Sequence, residues 1–188
     1  MKKKVVFDVD DILWDLNRKA AKLAGISYND IITFSLNENP LLTDDEKIRL
    51  KSVYGSEELF KNIEWFKNID RINHLNADVH ICSNILNLAV ADIKRKQIHQ
   101  VLDISDNNIH LNFVTNGKVK QIPDDTFIFV DDSPYNILDS TAEHNIMLER
   151  PWNVSENGIA ILGGKPRMMF KHFDSIIDCI EVLLDTNR

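Results

Sequence analysis

Val5-Val6-Phe7-Asp8-Val9-Asp10-Asp11-Ile12 is an apolar run that ends in acids, and its reading decides the fold. Unbroken short runs of β-branched and aromatic residues are what strands buried on both faces look like. Alternate side chains on a strand share a face. A strand over Val5 to Val9 therefore puts Asp8 at its C-terminal end and Asp10 in the loop just beyond, with the two carboxylates converging on one small volume. Acids crowded in this way need a cation or a shared proton. A hard divalent ion such as Mg²⁺ takes oxygen ligands, and a metal-bound aspartate is a competent nucleophile toward phosphorus.

The same kind of run recurs at Val79 to Cys82, Leu111 to Val114, Phe127 to Val130 and Ile146 to Leu148. Helical patterns alternate with them at Trp14 to Ala24, Leu86 to Leu102, Tyr135 to Glu143 and Ser175 to Leu184. Strands alternating with helices imply parallel βαβ units, hence an α/β fold with a doubly wound, Rossmann-like parallel sheet. The interval from Trp14 to Asn76 breaks that rhythm with helical segments and no convincing strand. Thr43-Asp44-Asp45-Glu46 opens one helix as a capping box and Gly55 closes it, while Ser56-Glu57-Glu58-Leu59 begins another. Such an insertion reads as a small helical cap over the C-terminal edge of the sheet, where ligands bind. The expected division is a core of residues 1–13 and 77–188 and a cap of 14–76. Asn153 to Pro166, with Gly158, Gly163 and Gly164, reads as a loop.

At 188 residues, 44% hydrophobic and 27% charged, the chain has enough apolar content for one filled core without staples. A net charge of −7 argues against extended nucleic acid or an anionic membrane as partner. There is no apolar stretch of membrane-spanning length and no signal-peptide core after Lys2-Lys3-Lys4. Cys82 and Cys179 are the only cysteines and form no metal-ligand spacing, which points to a reduced, cytoplasmic protein.

Polar residues follow three of the strands: Asp8, Asp10 and Asp11; Ser83 and Asn84; Asp131, Asp132 and Ser133. Parallel strands bring all three ends to one edge. There Asp8 and Asp131 can offer carboxylate oxygens to Mg²⁺, Ser83 a hydroxyl and Asn84 an N–H to phosphate, and Lys118 or Lys120 the positive charge.

The ordered set Asp8-Val9-Asp10, Ser83 after Val79-His80-Ile81-Cys82, a downstream lysine, and Phe127-Ile128-Phe129-Val130-Asp131-Asp132 resembles the motifs of the haloacid dehalogenase-like (HAD) phosphohydrolases. Within that superfamily the chain is most similar to the 5'(3')-deoxyribonucleotidases. Trp65-Phe66, Val79-His80-Ile81-Cys82-Ser83-Asn84, Phe113-Val114-Thr115-Asn116-Gly117-Lys118, Val130-Asp131-Asp132-Ser133-Pro134 and Pro151-Trp152-Asn153 carry the likeness. The resemblance implies a HAD-like sheet and a Mg²⁺-dependent phosphomonoesterase for nucleoside monophosphates, deoxynucleotides foremost. It implies that Asp8 attacks phosphorus to form an aspartyl-phosphate. Asp10 would protonate the leaving alkoxide and then activate water, its backbone carbonyl ligating Mg²⁺. Asp131 would be the second metal carboxylate, and Asp132 would act through a water. Ser83, Asn84 and a lysine would hold the phosphoryl group. Lys118 fits the family's local pattern and Lys120 the usual distance from the aspartates, so both stay candidates.

Two departures bear on nucleotide specificity: Asp11 stands where the family commonly has Gly, and Ser133 where close relatives often have Arg. The alternatives are a phosphatase for another small phosphate or a nucleic-acid 3'-phosphate end, and a catalytically silent nucleotide-binding protein, the latter motivated by the charge of Asp11. A homodimer stays open. Taken singly, each feature has a plainer use. Aspartate pairs serve turns and caps, Ser83 can cap the helix that follows it, and Lys118 and Lys120 can be solvated. Trp14, Phe60, Trp65 and Phe66 can stack on a base or fill the core. Lys94-Arg95-Lys96 reads as the wet face of a helix.

Overall fold

Lys4–Phe7 forms strand β1, and Val5, Val6 and Phe7 expose no surface. A strand can be apolar at every position only where both faces of its sheet are covered. The computed structural model, which describes residues 2–113 and 120–186, shows how they are. Five further strands follow in the chain: β2 (Asp78–Ile85), β3 (Ile109–Phe113), β4 (Thr126–Val130), β5 (His144–Leu148) and β6 (Met168–Phe170). Every pairing is parallel and the spatial order is β3-β2-β1-β4-β5-β6. The winding reverses between β1 and β4, and ligands of such sheets bind beyond the carboxyl ends at that reversal.

Helices α1 (Leu16–Ala24) and α2 (Asp44–Tyr54) lie between β1 and β2 together with short 3₁₀ turns. Helix α3 (Leu88–Val101) joins β2 to β3, and α4 (Pro134–Asp139) joins β4 to β5. Helices α5 (Pro151–Val154) and α6 (Glu156–Leu162) lead to β6, and α7 (Phe173–Asp185) ends the described chain. Val5, Phe7, Ile81, Ile128 and Val130 face the larger core, where α1, α3 and α7 add Ala20, Val90, Ile98, Ile176 and Ile180. Val6, Cys82, Phe129 and Met147 point the other way, onto Ile137 of α4 and Leu162 of α6.

Local signals set several boundaries. Thr43 and Glu46 form the reciprocal capping box, and Gly55 closes α2. The N-cap of α3 is Asn87, whose side chain accepts from the Val90 N–H at 2.9 Å, which leaves Ser83 out of that role. The stretch Asn153 to Pro166 differs from the loop expected of it. Ser155 caps α6 by accepting from the Gly158 N–H at 3.2 Å, and the glycine there serves packing instead of a turn. Strand β6 is three residues long at the sheet edge and gives no run for periodicity to detect.

A Cβ on Gly158 would lie 2.2 Å from the Trp152 carbonyl oxygen and 2.7 Å from Asn153 Cα. Gly158→Ala is therefore expected to destabilise the protein by about 1–3 kcal/mol, read as a lower thermal midpoint. Gly164→Ala, whose Cβ meets nothing within 4 Å, should stay near the parent; equal midpoints for the two variants would contradict the close approach.

Candidate active site

The register that sets Phe7 beside Val130 makes the next residue of each strand a neighbour at the sheet edge. The Asp8 N–H donates to the Val130 carbonyl at 2.8 Å, and the Asp131 N–H to that of Ile146 at 3.1 Å. One carboxylate oxygen each from Asp8, Asp131 and Asp132 lie within 4.8 Å of one another, and all three residues are buried. The ammonium of Lys120 closes the cluster, 2.5 Å from Asp8 Oδ1 and 2.8 Å from Asp131 Oδ2. Asp131 also accepts from the Ser133 N–H at 2.7 Å and from Asn136 Nδ2 at 3.0 Å. Trp152 Nε1 donates to Asp132 Oδ2 at 2.8 Å, and Asn153 Nδ2 to the Asp132 carbonyl at 3.0 Å.

Burial pushes the Asp8 carboxyl up to about 7; Lys120 opposes that, while Asp131 and Asp10 add to it. Burial also lifts Asp132 well above the ordinary range, with Asp131, Asp11 and Asp8 adding repulsion. For Lys120, burial favours loss of the proton, but Asp131 and Asp8 outweigh it and hold the ammonium charged. Ionised together, the three carboxylates would outnumber the one ammonium, and burial resists that excess of negative charge. Hard oxygen donors with unmet charge suit a divalent cation such as Mg²⁺. Of the pair, Asp132 faces the cavity above the cluster, while Asp131 lies beneath it with both oxygens hydrogen-bonded.

Asp10 is held from two sides. Trp14 Nε1 donates to its Oδ1 at 2.9 Å, and Lys94 Nζ lies 2.5 Å from its Oδ2. Lys94 also donates to Ser83 Oγ at 2.8 Å and to the Asn84 carbonyl at 3.0 Å. This corrects the wet-face reading: Lys94 is 1% exposed. Val90, Lys94 and Ile98 share one helical face, spaced by four, and that face is turned inward. The spacing was the signal available in the sequence. Ser83 is fully buried behind Lys94, whereas Asn84, Lys94 and Lys120 line the cavity. Lys118 lies outside the described residues.

Asp11 adopts a left-handed conformation with φ 60°. Its Oδ1 accepts from the Asn17 N–H at 3.0 Å, in the first turn of α1, and its carbonyl accepts from Arg150 Nη2 at 2.5 Å. Burial raises its carboxyl and Arg150 opposes the rise. Ser133 is the N-cap of α4. The cavity measures about 530 Å³, and Ile31, Phe34, Leu36, Tyr54 and Phe60 of the β1–β2 insertion form its apolar wall. Of the four aromatic residues singled out in the sequence, Phe60 alone lines it. Trp14 is buried against Trp65 at 4.9 Å between ring centroids, and Phe66 packs on Phe173.

Fold and site together define a doubly wound α/β protein with a buried carboxylate cluster under a roofed cavity. The fold is shared with solved structures. A Bacteroides vulgatus protein described as a beta-phosphoglucomutase aligns with a TM-score of 0.56 and 12% identity, over 98% of this chain and 90% of its own. A hydrolase from Pseudomonas syringae aligns with a TM-score of 0.54 and 15% identity, over 97% and 99%. A HAD-superfamily hydrolase of subfamily IA from Geobacter sulfurreducens reaches 0.48 at 13% identity, over 95% and 96%. At these identities the likeness is one of fold. No family model matches the chain, and no curated protein matches it in sequence. Among the described residues no helix is long and apolar enough to cross a membrane.

The raised carboxyls set a pH dependence. Folded Asp8 keeps its proton up to about 7, whereas an unfolded aspartate loses it near 3.8. Between those values the folded state binds the additional proton, so stability falls as pH rises from about 4 to 7; Asp11 and Asp132 act in the same direction. Metal-free protein should therefore unfold at a higher temperature near pH 5 than near pH 8, and Mg²⁺ should raise the midpoint more at the higher pH. A metal-free midpoint that climbs across that interval would contradict the assignment.

Proposed function

We propose that the chain is a Mg²⁺-dependent phosphomonoesterase of the HAD type that hydrolyses nucleoside monophosphates, deoxynucleotides foremost. The cluster of Asp8, Asp131 and Asp132 around Lys120, at the reversal point of the sheet, carries the reading. Asp8 would attack phosphorus as the bond to the ester oxygen breaks, leaving an aspartyl-phosphate. Asp10 would give its proton to the departing alkoxide, then take one from the water that attacks the phosphorus and frees Asp8. Proton transfer of this kind contributes about 10²- to 10⁴-fold. Asp8, Asp132 and the Asp10 backbone carbonyl would hold Mg²⁺, with Asp131 supporting from beneath. Bound there, Mg²⁺ supplies the positive charge that lets an anionic nucleophile and a phosphate ester approach each other.

An ammonium has three N–H donors, and among the described residues Lys120 commits two of them, to Asp8 and Asp131. The third is what a phosphate oxygen would take. Asn84 faces the same space, and Ser83 stands next to it at the end of β2. Lys118 remains a second candidate cation from the sequence. The wall of Phe34, Tyr54 and Phe60 supports a planar base as the ester's other half, since stacking on aromatic rings is worth about 1–3 kcal/mol per base. The helical insertion would act as the cap over substrate. Against the binding-only reading, the Asp11 carboxylate, although Asp11 lines the cavity, accepts a hydrogen bond from the start of α1. A different small phosphate ester is the second reading, favoured by the beta-phosphoglucomutase description of one fold neighbour.

Phosphate release from 5' and 3' deoxy- and ribonucleoside monophosphates is expected with Mg²⁺, to vanish with EDTA, and to fall by at least about 10³-fold in Asp8→Asn, as losses of covalent nucleophiles do. Release from p-nitrophenyl phosphate but from no nucleotide would keep the chemistry and move the substrate to the second reading. Tight nucleotide binding without release from any ester would reject the enzyme.

A further inference from the structure

We infer that, given the phosphohydrolase reading above, Lys94 is a positioning residue for the proton-transfer step: it orients Asp10 and does not hold phosphate. An ammonium has three donors and no acceptor. Lys94 points at three acceptors, Asp10 Oδ2 at 2.5 Å, Ser83 Oγ at 2.8 Å and the Asn84 carbonyl at 3.0 Å. It is saturated, whereas Lys120 commits two of its donors among the described residues. The two lysines of one cavity thus have different duties.

The surroundings of Lys94 fix its place. Its Nζ lies 6.0 Å from the Trp14 ring centroid and 5.5 Å from that of Phe60, and it shares the buried face of α3 with Val90 and Ile98. The same Trp14 donates its indole N–H to the other oxygen of Asp10. Asp10 is therefore pinned at both oxygens, in a plane set by α3 on one side and by the turn into α1 on the other. The proton on Asp10 moves to the ester oxygen as the P–O bond breaks and the electron pair goes to that oxygen. The transfer needs the carboxyl aimed at the leaving atom, and a misplacement of about 1 Å can cost about 10²-fold. Ser83 and the Asn84 carbonyl anchor Lys94, which accounts for a serine fully buried beside a phosphate site.

A leaving group that departs as a stable anion needs no proton, and this separates positioning from structure or phosphate binding. Lys94→Met should lose about 10- to 100-fold in kcat/KM on a nucleoside monophosphate. On p-nitrophenyl phosphate, whose phenolate leaves unprotonated, it should stay within about threefold of wild type, because kcat/KM reports only steps through ester cleavage. Should Lys94→Met fail to fold, Lys94→Arg keeps the charge, but its planar fork does not match three acceptors around one nitrogen, and the same split is expected. Equal losses on both substrates in a folded variant would overturn the role and leave the phosphohydrolase standing. A wild-type protein that hydrolyses neither ester would overturn both.

Discussion

Carboxylates crowded at the ends of β1 and β4 are the constraint on which the rest of the structure turns. Asp8, Asp131 and Asp132 are almost wholly removed from water, and Asp10 and Asp11 adjoin them. Charges buried without partners cost several kcal/mol each. The chain meets this with cations that are themselves buried: Lys120 from the segment before β4, Lys94 from the second turn of α3, and Arg150 from the start of α5. Lys120 meets Asp8 and Asp131, Lys94 meets Asp10, and Arg150 meets the backbone carbonyl of Asp11. A sheet wound in another order would separate the acids of β1 from those of β4, and the lysines would then face no counter-charge.

The polar clamps extend this arrangement into the packing. Trp14 and Trp152 are the two largest fully buried side chains, and each spends its single indole N–H on a site aspartate, Asp10 and Asp132 respectively. Large aromatic bodies that fill the core thereby also aim the acids. Asn153 joins the carbonyls of Asp132 and Leu148, and Asn136 grips both oxygens of Asp131. Core filling and the setting of the site are here done by the same residues.

The fold was legible because β1, β2, β4 and β5 are apolar runs buried on both faces, each with polar residues at its end. What sequence patterns missed has identifiable causes. Strand β6 is too short to show a period, and α6 contains Gly158 and ends at Gly163, the former required by contact with the α5 backbone and not by a turn. Within the site, Asp8, Asp131, Asp132 and Lys120 were named from position and come together in space. Lys94 was hidden by composition. Flanked by Arg95 and Lys96, it resembles one member of a solvated charge run, and only its phase on the helix distinguishes it. Arg150 gave no signal at all, because its partner is a backbone carbonyl 139 positions away.

That separation has a bearing on how the protein is made. The acids that follow β1 leave the ribosome well before the groups that satisfy them: Lys94 is 84 positions beyond Asp10, and Arg150 is 139 beyond Asp11. Until those segments emerge, the aspartates lack the partners they are buried against and the strand stays hydrated, since hiding those acids unpaired would cost more than the apolar contacts return. Closing such long loops comes late and slowly in folding. The same aspartates that crowd the finished site thus keep the nascent strand in water, and keep its neighbouring valines from premature association, until the partners that can neutralise them have been synthesised.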